Sequence, residues 1–364
     1  MDNAAGEQIS IVSARMRSSS RKKPQGLAAQ HGCSMRQPHR PDTGHWPNVM
    51  PTSFVYIGAL SALLLLAGIS KIALATGTAY VLFPELGALA YDVFTRPSGV
   101  WARSPAMLAF TPTAASIVGI AITREFPFGI VSVVLCIGSA MVLLRVLRSP
   151  IAPAISAGFL PLALGVTSWA YPASIAAVTG TLAILIVSYR WLFAARIEAL
   201  RPVRSHDIDN RLESVPTGYV WLPVFVGFLL LTYGITLVTG NRLILFPPLV
   251  VIAFEMFAHA DVCPWARRPF TLPVACTFVA AVGVAAVSAF GFGPLSVTIA
   301  LIAGIVALRI ARLHLPPALA IGLLPQVIAH PDWTFVAAVA VGSTALTATF
   351  LIARTSLMGQ TRSV

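Results

Sequence analysis

The sequence predicts an all-α polytopic membrane protein with about twelve transmembrane helices, arranged as two parallel six-helix repeats in which proline breaks some helices. Composition is the first reason: of the 364 residues, 57% are hydrophobic and 10% are charged, and the mean hydropathy is +0.81. Soluble domains carry about 25% charged residues. The second reason is a succession of apolar runs, each near the roughly 20 residues that cross a bilayer as helix. The third is that the second half of the chain repeats the first.

Two segments, 144–161 and 308–325, show the repeat most clearly, since each joins two apolar runs through a short basic turn. An offset of 164 residues aligns them and pairs Arg145 with Arg309, Arg148 with Arg312, Pro153 with Pro317, Pro161 with Pro325 and Trp169 with Trp333. Upstream the offset is 163, which pairs Asp92 with Glu255, and one inserted residue near Trp265 accounts for the change. A fixed offset of this kind indicates tandem duplication of one structural unit.

The N-terminal segment differs from the rest of the chain. It is basic and rich in Ser, Gln, Gly and Pro, a composition that buries no core and predicts disorder. Its Arg- and Ser-rich part, 13–23, resembles an organelle transit peptide; the alternatives are a solvated cytoplasmic tail or an upstream extension of a reading frame that starts at Met50. The predicted parts of the chain are a disordered tail at 1–50, transmembrane repeats at 51–193 and 219–355, and a cytoplasmic linker at 194–218.

Each repeat contains six apolar runs, at about 54–76, 79–95, 105–123, 128–146, 152–169 and 172–193, and at about 219–238, 243–258, 270–290, 294–311, 316–330 and 333–353. With both termini in the cytoplasm, nearly every basic turn falls on the cytoplasmic side, as the positive-inside rule requires. The basic residues of the external turns are Arg124 and Arg242. An even number of spans per unit makes the two repeats parallel. We expect a bacterial inner membrane, in preference to an organelle membrane.

Proline recurs inside the predicted spans, at Pro84, Pro112, Pro161, Pro247, Pro248 and Pro325. Each proline removes a backbone donor and frees a carbonyl. Freed groups in lipid need a neighbouring helix, a hydroxyl side chain or water. The prolines therefore mark either packing kinks or broken helices that line a substrate path.

Acidic residues within the apolar runs are few. Glu85 follows Pro84 inside a run and has no acidic counterpart in the second repeat. An ionised carboxylate there is costly, so Glu85 is either a proton or cation site or a residue near the outer interface. Asp92 and Glu255 lie near the cytoplasmic ends of their spans. Their predicted ion-pair partners are Arg96 or Arg103, and Arg267 or Arg268, respectively.

The sequence gives no positive sign of enzymatic chemistry. We find no nucleophile constellation, Gly-rich phosphate loop or ligand cluster, and we predict no enzyme and no cofactor. The four cysteines lack CxxC spacing, so we expect small buried residues and neither a disulfide framework nor a metal site. The predicted partner is the lipid bilayer, with no nucleic acid, and the oligomeric state is left open.

The best candidate for a binding site is the turn that precedes the run at 316–330. Pro316 and Pro317 suit the first turn of a helix, where a missing amide donor costs little. The free amides and the dipole of such a helix attract anions. The candidate substrate-binding residues are Arg309, Arg312, His314, Pro316 and Pro317, with Arg148 from the first repeat and the separate carboxylate of Glu85. The alternative is that the arginines are topology anchors and the prolines start the helix.

The same stretch resembles the signature of the HPP family of integral membrane proteins, a His-Pro-Pro motif before a helix of small residues. His314-Leu-Pro-Pro317 matches this motif with one residue inserted, and 322–325 resembles the next part of the family signature. The likeness covers about 240–355 and, more faintly, 77–193, where the histidine is lacking. The family is described with one unit of about four spans, so a duplicated chain departs from it. Some members are linked to nitrite transport.

This resemblance implies a transporter or channel for a small solute, with a small inorganic anion such as nitrite as the expected substrate. The other interpretation is a membrane scaffold or regulatory subunit without a transport path of its own. The lining of the interior distinguishes the two, because a transporter exposes polar side chains to an internal path.

Overall fold

The structure is a computed structural model of the chain, and it describes residues 52–199 and 218–358 together with Leu212 and Pro216. The predicted tail at 1–50 and most of the linker at 194–218 lie outside the described residues. The first half contains α1 (Thr52–Thr76), a 3-10 turn (Ala79–Val81), α2 (Glu85–Thr95), α3 (Val100–Arg103), α4 (Pro105–Glu125), α5 (Ile130–Val146), α6 (Ala154–Leu164), α7 (Ala170–Leu192) and α8 (Ala194–Ala199). The second half contains α9 (Trp221–Thr239), a 3-10 turn (Arg242–Leu245), α10 (Pro247–Ala258), α11 (Thr271–Phe290), α12 (Pro294–Ile310), α13 (Pro317–Leu323), a 3-10 turn (Leu324–Gln326) and α14 (Trp333–Met358).

Six of the described helices are long and apolar enough to cross a membrane: α1, α4, α7, α9, α11 and α14. Their apolar parts have 19 to 25 residues, which matches the roughly 20 residues that span a bilayer core. The predicted all-helical membrane class is therefore confirmed at this level. The other apolar runs form shorter helices, so the number of twelve crossings stays a prediction.

Four short helices, α2, α6, α10 and α13, form the inside of the molecule. All residues of α2 and α13 are buried, and so are all residues of α6 except Leu164 and all residues of α10 except Ala258. A helix covered on every side has no polar face, which explains why these segments are almost uniformly apolar in sequence. α2 packs against α13, and α6 packs against α10. An α-helix rises about 1.5 Å per residue, so 11 residues span only about half of a bilayer core.

The longer helices surround this inner group and present apolar side chains outward. Leu64 on α1, Ile184 on α7 and Ile352 on α14 are exposed. Contiguous exposed apolar surface on many helices indicates contact with lipid. Each half has its own set of helix contacts. In the first half α4 packs against α6 and α7, and in the second half α11 packs against α13 and α14.

Glycine brings helices into backbone contact, and two of these contacts are related by the repeat. A Cβ atom added at Gly119 on α4 would overlap the carbonyl group of Gly158 on α6. A Cβ atom added at Gly283 on α11 would overlap the carbonyl group of Gly322 on α13 in the same way. Small residues of this kind let membrane helices approach closely. The second contact follows the first at an offset of 164 residues for both partners.

Most of the prolines predicted within spans start or end the short helices. Pro84 immediately precedes α2, Pro247 and Pro248 begin α10, and Pro325 lies in the 3-10 turn after α13. Proline fits the first helical turn because no partner is needed for its missing amide donor. Pro112 in α4 and Pro161 in α6 instead lie in the interior of their helices, beyond the first turn.

Candidate functional site

The candidate site is centred on Glu85, the first residue of α2. Its side chain is 1% exposed, and neither carboxylate oxygen has a hydrogen-bond partner among the described residues. The position at the start of a helix favours negative charge, because the amide dipoles point toward it. Even so, a buried carboxylate without a paired cation is unstable in its ionised form, and it is expected to hold a proton or to attract water or a ligand.

Two hydroxyl groups from other helices lie near this carboxylate. Ser156 on α6 and Tyr171 on α7 both interact electrostatically with Glu85. The Oγ of Ser156 is buried and reaches no hydrogen-bond partner among the described residues. The phenol of Tyr171 donates a 2.9 Å hydrogen bond to the carbonyl of Ala157, and its ring contacts the ring of Tyr80 edge-on at 6.4 Å. The Tyr171 side chain is therefore held in place, whereas the Ser156 hydroxyl has no such bond and can turn toward Glu85 or a water molecule.

The second half contributes Gln326, which lies buried in the 3-10 turn after α13. Its Oε1 accepts a 3.1 Å hydrogen bond from Ser296 Oγ, while its Nε2 is buried without a partner in the described part of the chain. α2 and α13 run antiparallel, because Asp92 faces His314 at one end and Gly87 meets Leu323 farther along. The start of α2, with Glu85, and the end of α13, near Gln326, therefore lie toward the same end of this helix pair.

We call Glu85, Ser156, Tyr171 and Gln326 the inner polar group. Buried polar atoms normally have a hydrogen-bond partner, and each exception costs about 1–3 kcal/mol or more. The inner polar group combines three such exceptions, at Glu85, Ser156 and Gln326. Unsatisfied polar atoms inside an otherwise apolar core make these residues candidates for binding water, a proton or a polar solute.

An ionic cluster lies at the opposite end of α2, about 10 Å from Glu85 by helical rise. Asp92 is fully buried and accepts a 2.8 Å hydrogen bond from Arg96 Nε and a second bond from Arg96 Nη2. The predicted pairing of Asp92 with Arg96 is thus confirmed. His314 Nε2 lies 3.9 Å from the same carboxylate oxygen, so a residue of the second half joins the cluster. The predicted pairing of Glu255 stays a prediction.

The residues of the predicted anion site are spread over several environments. Pro317 is the first residue of α13, as predicted, but this helix has only seven residues. The Arg309 guanidinium stacks on the ring of Tyr56 at 5.3 Å, whereas His314 faces Asp92.

Two further residues of that site, Arg148 and Arg312, are exposed and adopt left-handed backbone conformations, with φ of 49° and 51°. Pro316 is buried beside Pro317, and Glu85 lies at the far end of α2. An anion site at this turn stays a prediction, and Arg312 is its most accessible residue.

Sequence reasoning identified Glu85 but missed Ser156, Tyr171 and Gln326. Gln326 carried a usable signal, because it is the only glutamine between residues 54 and 353, and a lone amide inside an apolar run points to a buried polar role. Ser156 and Tyr171 gave no such signal, since hydroxyl side chains are common in membrane helices.

No protein-family model, curated protein or solved structure matches the chain. The likeness to the HPP family therefore stays a prediction from its short motif. Function has to be inferred from the inner helices and the polar atoms that they enclose.

Proposed function

We propose that this chain is an integral membrane transporter for a small solute, and that Glu85 carries a proton during transport. The observation that carries the proposal is the fully buried, unpaired carboxyl group at the start of a half-length helix in the centre of the molecule. Intramembrane carboxyl groups of this kind are typical of proton relays in pumps and transporters. Half-length helices whose ends meet inside the bilayer are typical of transporter binding sites.

The proposed topology has twelve crossings in two parallel repeats, with each short inner helix completing its crossing through an extended stretch. Three features that recur at the offsets of 163 and 164 support it: the glycine contacts, the left-handed conformations of Arg148 and Arg312, and the stacking of Arg145 on Tyr219 and of Arg309 on Tyr56. Parallel repeats place equivalent turns on the same side of the membrane. The basic turns then face the cytoplasm. The proposed location of the protein is a bacterial inner membrane.

Labelling of introduced cysteines tests this topology. A membrane-impermeant reagent added outside intact cells should modify cysteines placed next to Arg124 and Gly291, and should spare a cysteine next to Arg268. Modification of all three positions, or of the position near Arg268 alone, would contradict the twelve-crossing arrangement.

The proposed substrate class is a small inorganic anion such as nitrite, in keeping with the HPP-like motif. Exposed arginines at the basic end, including Arg148 and Arg312, raise the local concentration of anions. A proton bound at Glu85 neutralises the carboxylate, so an anion that enters beside it is not repelled by a second negative charge. The proton and the anion then cross together without moving net charge. Proton-coupled uptake therefore accounts for a buried acid in a protein that moves anions.

The test is nitrite uptake into proteoliposomes with an imposed proton gradient. Wild-type protein should take up nitrite faster when the gradient drives protons in the same direction. Glu85→Gln keeps the shape of the side chain but carries no titratable proton, so gradient-driven uptake should fall to the rate of protein-free liposomes. Glu125→Gln, which changes an exposed acid at the end of α4, is the matched control and should transport like wild type. Full gradient-driven uptake by Glu85→Gln would rule out the proton role.

A scaffold or regulatory subunit is the second candidate function. It is favoured by the close apolar packing of the four inner helices, which are buried along almost their whole length. In that case correctly inserted wild-type protein should move neither nitrite nor nitrate above background, with or without a gradient.

A further inference from the structure

A cavity of about 370 Å³ lies between α5 of the first half and α9 of the second. Its wall is apolar along most of its length and includes Val134, Ile137, Val142, Phe225 and Leu229. Cavities of roughly 300–1,000 Å³ are the size that holds a small ligand. None of the residues of the inner polar group lines this cavity, so it is distinct from the proposed transport site.

The repeat gives this pair of helices a counterpart at the other contact between the two halves. The offsets of 163 and 164 relate α5 to α12 and α9 to α1, and α12 and α1 pack directly against each other. The two helix pairs differ in side-chain size at one position that lines the groove. A Cβ atom added at Gly138 on α5 would meet nothing within 4 Å, whereas the residue at the offset of 164 is Ile302. α5 therefore has a small residue in the groove, where the related helix carries the large and partly exposed side chain of Ile302.

The end of the groove near the basic turn carries positive charge and aromatic side chains. Arg145 lines the groove, stacks on the ring of Tyr219 at 4.9 Å and reaches the carbonyl of Pro216 at 3.4 Å. Trp221 lines the same end, and Arg148 is exposed one turn farther along. Within the described part of the chain, no acidic residue lines the groove. Arginine with Tyr and Trp is the composition that membrane proteins place at the level of lipid headgroups.

We propose that this groove is a binding site for an anionic phospholipid. One acyl chain lies between α5 and α9, against the open surface at Gly138, and the headgroup phosphate contacts Arg145, with Arg148 adding to the positive field. The positive charge of Arg145 and Arg148 favours a headgroup with net negative charge over a headgroup with no net charge. At the related contact, α1 and α12 pack directly against each other. Between α5 and α9 the bound lipid takes the place of that packing.

The test uses purified protein in detergent, titrated with phosphatidylglycerol or phosphatidylcholine, with bound lipid counted by native mass spectrometry. Arg145→Ala should weaken phosphatidylglycerol binding roughly fivefold, the effect expected for one basic residue at an anionic surface. Arg309→Ala is the matched control, since Arg309 also stacks on a tyrosine but lies beside helices that pack directly. It should leave binding unchanged. Gly138→Ile, which introduces the residue found at the related position, should weaken binding of both lipids.

Several results would overturn the proposal. If Arg145→Ala and Arg309→Ala lost phosphatidylglycerol binding equally, the lipid would be attracted by the positive charge of the basic turns in general and not held in this groove. Unchanged phosphatidylglycerol binding in Arg145→Ala would mean that the groove holds no headgroup. The Arg145→Ala measurement therefore tests the proposal even if Gly138→Ile fails to fold. Tighter lipid binding after removal of residues 1–49 would assign the groove to the chain's own tail. Disulfide cross-links between copies that carry Gly138→Cys would assign it to a second copy.

Discussion

Gly119→Ala should lower the stability of the protein by about 3 kcal/mol, the upper part of the range for overpacking a tightly packed core. The new methyl group would overlap the carbonyl group of Gly158. Backbone atoms cannot rotate away as a flexible side chain does, so α4 and α6 would have to separate. Separation would open the contact on which the inner helix α6 depends. The measurement is the midpoint of thermal unfolding in detergent.

Gly283→Ala provides an internal repeat of this experiment, because its methyl group would overlap the carbonyl group of Gly322. The matched control is Gly180→Ala on α7, where an added Cβ atom meets nothing within 4 Å. Alanine in a helix is favoured over glycine by about 0.5–1 kcal/mol, so the control should be neutral or slightly stabilising. A wild-type unfolding midpoint for Gly119→Ala would mean that α4 and α6 do not touch through their backbones.

Asp92→Ala is the second substitution for which we expect a large loss, of about 3–5 kcal/mol. The carboxylate is fully buried and accepts two hydrogen bonds from Arg96. Its removal takes away the carboxylate to which the partly buried Arg96 guanidinium donates, and it removes the acid that lies 3.9 Å from His314 Nε2. Unfolding of the purified protein measures the loss, and membrane abundance gives a second reading of the same effect.

A double substitution separates the cost of the orphaned charge from the worth of the ion pair. Asp92→Leu with Arg96→Met removes both charges and keeps apolar volume, so it should recover much of the stability lost in Asp92→Ala. A loss in the double variant as large as that in Asp92→Ala would mean that packing around Asp92, and not charge burial, accounts for the effect.

The sequence predicted the long helices well because their length and hydropathy are local properties. The runs at 105–123 and 270–290, for example, correspond closely to α4 and α11. The half-length helices were not predicted, since hydropathy measures apolar length but does not show where the backbone turns. The run at 79–95 contains a 3-10 turn before α2 begins at Glu85, and the run at 316–330 contains only the seven residues of α13 and another 3-10 turn.

The candidate site was predictable only where it depends on local sequence. Glu85 is recognisable from sequence as an acid inside an apolar run, and Asp92 and Arg96 are neighbours on one helix face. The approach of His314 to Asp92 was not predictable, because the two residues lie in different halves and meet only through the packing of α2 against α13. Ser156 and Tyr171 likewise lie near Glu85 but belong to separate helices, α6 and α7.

The pairing of α2 with α13 and of α6 with α10 has a consequence for the order in which the molecule is assembled during synthesis. The first half emerges from the ribosome with α4, α6 and α7 able to pack together at once. At that stage the faces of α2 and α6 that later contact α13 and α10 have no protein partner, and the carboxyl group of Glu85 lies beside them. The two related units are therefore not finished one after the other, and the interior closes only when the last third of the chain has been inserted.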